Sequence, residues 1–159
     1  MALSVRPLTG QDIAAFLGLI QALADYEHLA GPDGEALARL TRDALADPPR
    51  FRVLLAEAEG RIVGYAVYLW LYSTFLARPT LYVEDIFVLP EDRRNGAGHA
   101  LMQELAREAV RQDCGRMEWH VLDWNRSAQE FYRRLGADQL AEWRLVRLDR
   151  EGLVRLAET

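Results

Sequence analysis

The sequence predicts one α/β domain built on a mixed β-sheet with helices packed against it. Three observations lead there. The chain has 159 residues, the size of a single domain spanning 1–159. Its middle carries two apolar runs joined by a two-residue turn, the pattern of an antiparallel hairpin. Its second half alternates strand-like runs with helical periods, which places helices between strands and excludes a sheet made only of hairpins.

Leu3 to Arg6 reads as a short first strand. From Thr9 the period becomes helical, with Ile13, Phe16, Leu17, Ile20, Leu23 and Ala24 at three- and four-residue spacing. Thr9 is the N-cap and Asp12 sits in the first turn. This helix ends near Tyr26–His28, and Gly31-Pro32-Asp33-Gly34 breaks the chain. Glu35 to Ala46 is a second helix, closed by Pro48-Pro49. Phe51 to Ala58 and Arg61 to Tyr72 are the hairpin strands, joined by Glu59-Gly60. Leu81 to Leu89 is the next strand, stopped by Pro90. Gly98 to Gln112 is helical, with Leu101, Leu105 and Ala109 on one face. Arg116 to Leu122 is a strand, Asn125 to Leu135 a helix, Trp143 to Leu148 a strand, and Arg150 to Ala157 a last helix. No internal repeat or linker interrupts the series.

Composition narrows the function. Half of the residues are apolar and 27% are charged, which excludes intrinsic disorder. The net charge is −5, the wrong sign for a general polyanion binder, so no nucleic-acid partner is expected. Cys114 is the single cysteine, so no intrachain disulfide forms, and with three histidines no metal site is expected. The opening residues carry no apolar leader. The longest uncharged stretch, Ile62 to Ala77, is too short and too polar to span a bilayer, so no membrane partner is expected either. The expected setting is soluble and cytoplasmic.

The most informative stretch is 81–105: a strand, the turn Arg93-Arg94-Asn95-Gly96-Ala97-Gly98, then a helix. Glycines let backbone approach a ligand closely, and a new helix offers free N–H groups and its positive dipole end. Together these suit phosphate, although a plain glycine turn before a helix reads equally well. No Gly-Lys-Ser/Thr follows, which excludes a Walker loop. Leu101 stands where a dinucleotide fingerprint needs its third glycine.

The remaining pattern, Arg-x-x-Gly-x-Gly from Arg93 to Gly98, resembles the pyrophosphate loop of the GNAT superfamily of N-acetyltransferases. Leu81-Tyr82-Val83-Glu84-Asp85-Ile86-Phe87-Val88 is similar to the fourth-strand signature of its spermidine/spermine (diamine) branch. So are Leu23 to Glu27, Trp124-Asn125, Phe131 to Ala137, and Trp143-Arg144-Leu145. The resemblance implies the GNAT acyl-CoA N-acyltransferase fold, with about six or seven twisted mixed strands and about four flanking helices. It implies acetyl-CoA as cosubstrate and a homodimer whose pockets are shared between subunits. The fourth and fifth strands of that fold splay apart. The pantetheine arm then pairs with the backbone of Ile86, Phe87 and Val88. Arg93, Arg94, Asn95, Gly96, Ala97, Gly98 and His99 form the loop toward the pyrophosphate. Asn125 and Arg133 complete the cofactor side, where Asn125 also serves as a helix cap.

The chemistry explains what the acceptor side needs. With a lysine-like pKa of about 10.4, roughly one alkylamine in 2,500 is neutral at pH 7, so a proton acceptor is required. The resemblance gives that role to Glu84, through water, and gives Tyr132 the role of acid toward the departing sulfur. Read alone, Glu84 is a solvent-facing strand residue and Tyr132 a packed aromatic. Tyr26, Glu27 and Glu142 match or adjoin positions that contact polyamine, and carboxylates suit a cationic acceptor. Ser73 to Pro79 replaces the segment that shapes the family's acceptor pocket. Arg78 within it suits a substrate carrying a carboxylate, such as a lysine-like amino acid. The expected function is acetyl transfer to a primary amine of a small cationic molecule, by direct attack in a ternary complex. The alternatives are a non-catalytic CoA-binding sensor and an acetyltransferase acting on a protein amine.

Overall fold

The hairpin expected at Glu59-Gly60 forms and becomes the middle of the sheet. Both turn residues take left-handed backbone, with φ of 54° and 77°, the geometry that matches strand twist in a two-residue turn. The computed structural model describes residues 2–159, which divide into two compact units meeting at His120/Val121.

The first unit holds the sheet. Its strands are β1 (Leu3–Pro7), β2 (Arg52–Ala58), β3 (Arg61–Ser73), β4 (Arg78–Val88) and β5 (Arg116–Trp119). They lie in chain order. All neighbours are antiparallel except β4 and β5, which are parallel. Three helices belong to this unit: α1 (Ile13–Tyr26), α2 (Gly34–Ala44) and α3 (Ala97–Arg111). The core on the α1 side gathers Phe16, Leu19, Val53, Leu55, Tyr65, Val67 and Phe87. Phe16 and Tyr65 meet edge to face at 5.5 Å.

The second unit holds α4 (Arg126–Arg134) and α5 (Arg150–Ala157). Asn125 caps α4 by accepting from Ala128 N–H, and Asp149 caps α5 by accepting from Gly152 N–H.

Three expectations are corrected. Among the described residues the sheet has five strands, not six or seven, and the α-helices number five. Trp143 to Leu148 is not a strand. A strand exists only through a partner, and this segment has none in the sheet and is exposed throughout. β5 stops at Trp119 rather than Leu122. Its ladder runs only from Thr80↔Arg116 to Val83↔Trp119, because β4 departs from regular pleating at the next residue.

Candidate active site

That departure builds the site. In the β3–β4 ladder Val83 opposes Tyr68 and Asp85 opposes Val67, leaving Glu84 as an extra residue in a β-bulge. One inserted residue exchanges the two faces of a strand. Before the bulge Val83 shares a face with Tyr68. After it Asp85 and Phe87 share the α1-side face with Val67 and Tyr65. Without the bulge Asp85 would lie on the other face.

Asp85 is consequently half-buried against the core. Its carboxylate accepts from Tyr65 Oη–H, at 3.3 Å. Burial pushes its carboxyl up to about 6, the nearby charge of Glu84 adds to the rise, the Tyr65 hydrogen bond opposes it, and Glu27 adds again. Tyr65 is fully buried. Burial, and then the charge of Asp85, hold its phenol far above the usual range, so it stays a donor. Glu27, just beyond the end of α1, is also pushed up by burial. Two carboxylates, Glu84 and Glu27, thus raise a third at one strand position.

Beside them a cleft of about 410 Å³ opens on the α1–α2 side of the sheet. Ile20, Leu40, Phe51 and Val67 give it apolar walls, while Glu84, Asp85 and Arg50 supply its charges. Arg78 is not among the lining residues. It pairs with Ser73 across the β3–β4 turn, and its guanidinium bonds Asp113 at 2.6 Å. No residue of the segment 73–79 lines this cleft.

On the opposite edge, Glu84 to Val88 has strand β3 on one side and, among the described residues, no strand on the other, since β5 has already ended. Gly64 lets β4 approach β3 closely here. A Cβ at that position would come within 2.7 Å of Phe87 O. Arg93 ties the end of β4 to the loop. Its Nε–H donates to Val88 O at 2.9 Å, and its guanidinium lies 4.4 Å over the Tyr26 ring and 5.4 Å from that of Phe87. Arg94 is exposed and takes φ of 67°. Gly96 caps α3 with φ of 87°, a conformation that disfavours any side chain. Asn95 and His99 are exposed, Gly98 is half-buried, and Ala97 is buried, so Ala97 offers backbone only.

The unpaired strand edge followed by a left-handed glycine and fresh helix N–H groups fits a long thioester cosubstrate ending in phosphates. Ile86, Phe87 and Val88 lie along that edge and Arg94 to His99 at the loop, positions that could hold such a group. Arg93 is engaged in holding β4 and Tyr26.

The remaining expected residues lie in the second unit. Asn125 is half-buried at its cap. Tyr132 is half-buried, its ring 5.5 Å from that of Phe131. Arg133 bonds Glu130 at 2.7 Å, and Glu142 is exposed. Asp85 and Tyr65 were missed by the sequence reading. A signal was present: two adjacent acids inside an apolar strand cannot both face water without a bulge.

A strand that opens at a bulge, a glycine turn at a helix N-terminus and an acid-lined cleft define a class, the acyl-CoA-dependent N-acyltransferases. The Acetyltransferase (GNAT) family model matches residues 17–137. The chain belongs to that family and is an N-acetyltransferase. It is 34% identical to the thialysine N-epsilon-acetyltransferase of Bos taurus, over 96% of both chains. It is 30% identical to the human spermidine/spermine N(1)-acetyltransferase-like protein 1, over 96% of this chain and 23% of that longer one. An integron cassette protein of V. cholerae shares the fold with a TM-score of 0.85. It is 24% identical and covers 100% of this chain and 99% of its own.

Proposed function

We propose that the protein acetylates a primary amine of a small cationic molecule by direct attack on acetyl-CoA in a ternary complex. The observation that carries this is the group of three carboxylates at the β4 bulge: Glu84 and Asp85 line the cleft, and Glu27 acts on Asp85. Acids in that number attract an ammonium group.

The acetyl-CoA thioester supplies an activated acyl group. Ile86, Phe87 and Val88 hold it by backbone pairing, Arg93 to His99 take the phosphates, and Asn125 and Arg133 are further cofactor contacts. Glu84, exposed at the mouth, draws in the ammonium and repels the charge of Asp85. Asp85 takes the proton, directly or through water. A carboxyl near 6 is mostly ionised at pH 7, yet close enough to neutrality to accept and pass on a proton. Glu84 thereby acts as lining and relay to solvent rather than as the principal base. Tyr132 is the acid toward the departing sulfur. Tyr26, packed under Arg93, shapes the acceptor end with Glu27, and Glu142 is a further acceptor contact.

The same reading includes a homodimer in a cytoplasmic setting. Trp143, Leu145 and Val146 are 75%, 63% and 90% exposed in one copy, and this strand-patterned run has no ladder partner in the sheet. A second copy supplies the cover such a run needs. No helix among the described residues is long and apolar enough to cross a membrane.

The test is release of free CoA thiol with a panel of amino acids, diamines, polyamines, aminoglycosides and peptides. Turnover of small amines is expected. Cofactor binding without turnover identifies a sensor, and turnover of peptides alone identifies a protein acetyltransferase.

A further inference from the structure

The charges of the acceptor cleft are not of one sign. Glu84 and Asp85 stand at the β4 bulge, and Arg50 stands at the other lip, with apolar walls between. A plain diamine or polyamine carries cations at both ends, and its far end would face a guanidinium. An amino acid with a terminal amine carries a cation at one end and a carboxylate at the other. The cleft has that polarity.

Its span is set by the sheet. Asp85 opposes Val67, and Val67 opposes Val53, so Asp85 lies two strand spacings from β2. Arg50 lies three residues before Val53. Arg50 itself stands two residues before β2 begins, past the end of the ladder. Both side chains line the cleft, and the space between them suits a short aliphatic chain.

Arg50 is available for this role. Asp43 lies 3.9 Å from its Nε, beyond hydrogen-bond length. That carboxylate is already held by Arg42 Nε–H at 2.9 Å. The Arg50 side chain remains 77% exposed, so a carboxylate reaching it gains a forked pair of donors without having to displace a tight internal partner.

We infer that Arg50 binds the carboxylate of the acceptor, selecting an amino acid with a side-chain primary amine over a diamine of the same chain length. This rests on the acetyltransferase reading above and adds a specificity residue to it. The amine end then meets Glu84 and Asp85, and the apolar walls cover the methylenes.

The experiment compares matched substrates that differ only in the carboxylate: L-lysine against 1,5-diaminopentane, and L-ornithine against 1,4-diaminobutane. The wild-type enzyme should show the higher kcat/KM for each amino acid. Loss of a charge-assisted bond should cost Arg50→Gln about tenfold or more in kcat/KM for the amino acids, through KM, while the diamines change little. Arg50→Glu should reverse the preference, and Arg50→Lys should restore part of it. Equal effects of Arg50→Gln on both members of a pair, or a wild-type preference for diamines, would overturn the inference while leaving the acetyltransferase reading intact. No turnover of any small amine by the wild type would overturn that reading, and the inference with it.

Discussion

Asp12 and Asp85 are both carboxylates drawn out of bulk water in the same unit, and the fold surrounds them in opposite ways. Asp12 accepts from two nitrogens of Arg6, at 2.9 and 3.0 Å, and from the backbone N–H and hydroxyl of Thr9, both at 2.8 Å. The Arg6 guanidinium, followed by these Thr9 bonds, outweighs burial and holds its carboxyl well below the usual range. Glu57 bonds the same Arg6 at 3.0 Å, which joins β1, β2 and the start of α1. Among the described residues Asp85 accepts a side-chain hydrogen bond from Tyr65 only, with Glu84 and Glu27 as like-charged neighbours. A fold able to supply four donors to one aspartate leaves the other short of partners. The unsatisfied one faces the cleft, where a substrate ammonium completes it. That contrast separates a structural acid from a functional one more sharply than burial does.

The comparison breaks most directly by removing each acid. Asp85→Asn should lower kcat roughly 10²–10⁴-fold near neutral pH while the protein stays folded. Asp12→Ala should do the reverse. Loss of charge-assisted bonds should cost about 1–3 kcal/mol of stability, seen as a lower urea midpoint, with kcat of the folded enzyme unchanged. Full turnover in Asp85→Asn would make Asp85 a tolerated core defect and return the proton to Glu84.

The sequence reading fared differently in these two places for a physical reason. Thr9 and Asp12 belong to local cap chemistry, and their positions at the start of α1 follow from spacing alone. The hairpin turn, the opening of α3 at the glycine loop and the order of the first eight elements are equally local, and all were legible. Asp85 depends on which way one strand residue faces, and the bulge at Glu84 decides that only once β3 is alongside. The run 143–148 fails likewise. Trp143, Leu145 and Leu148 supply apolar strand-like content, but no partner strand lies within the described chain. Arg78 suits a carboxylate by residue type and bonds Asp113, while Arg50, which residue type alone did not single out, lines the cleft.

A milder change sharpens the comparison by altering what surrounds Asp85 without touching it. Tyr65→Phe removes the hydrogen bond that holds the carboxyl down, so Asp85 should rise further above about 6. The acidic limb of the pH–rate profile should then move upward. Turnover should fall a few-fold near pH 6 to 7 and recover by about pH 8, as Asp85 again becomes ionised. An unmoved limb would mean that the group titrating in the profile is not Asp85.

The smallest effect is on stability, and there the two acids have different pH windows. Asp85 has its folded-state carboxyl raised from 3.8 to about 6. Between those values the folded protein binds more protons than the unfolded chain, so this group makes stability fall as pH rises from about 4 to about 6. Asp12 is shifted down, so its contribution is complete above the usual aspartate value and is lost only as pH falls below it. In the window from about 4 to about 6, Asp85 alone of the two changes. The clean measurement is the difference in urea unfolding free energy between Asp85→Asn and wild type, at pH 4 and at pH 7, since titrations common to both proteins cancel. The variant should gain relative to wild type as pH rises. The full shift corresponds to at most about 3 kcal/mol, and partial solvation of the cleft lowers the expectation to about 1 kcal/mol. A difference that stays flat with pH would mean that Asp85 is as well satisfied as Asp12. The acid at the β4 bulge would then have no claim to be the one left waiting for a substrate.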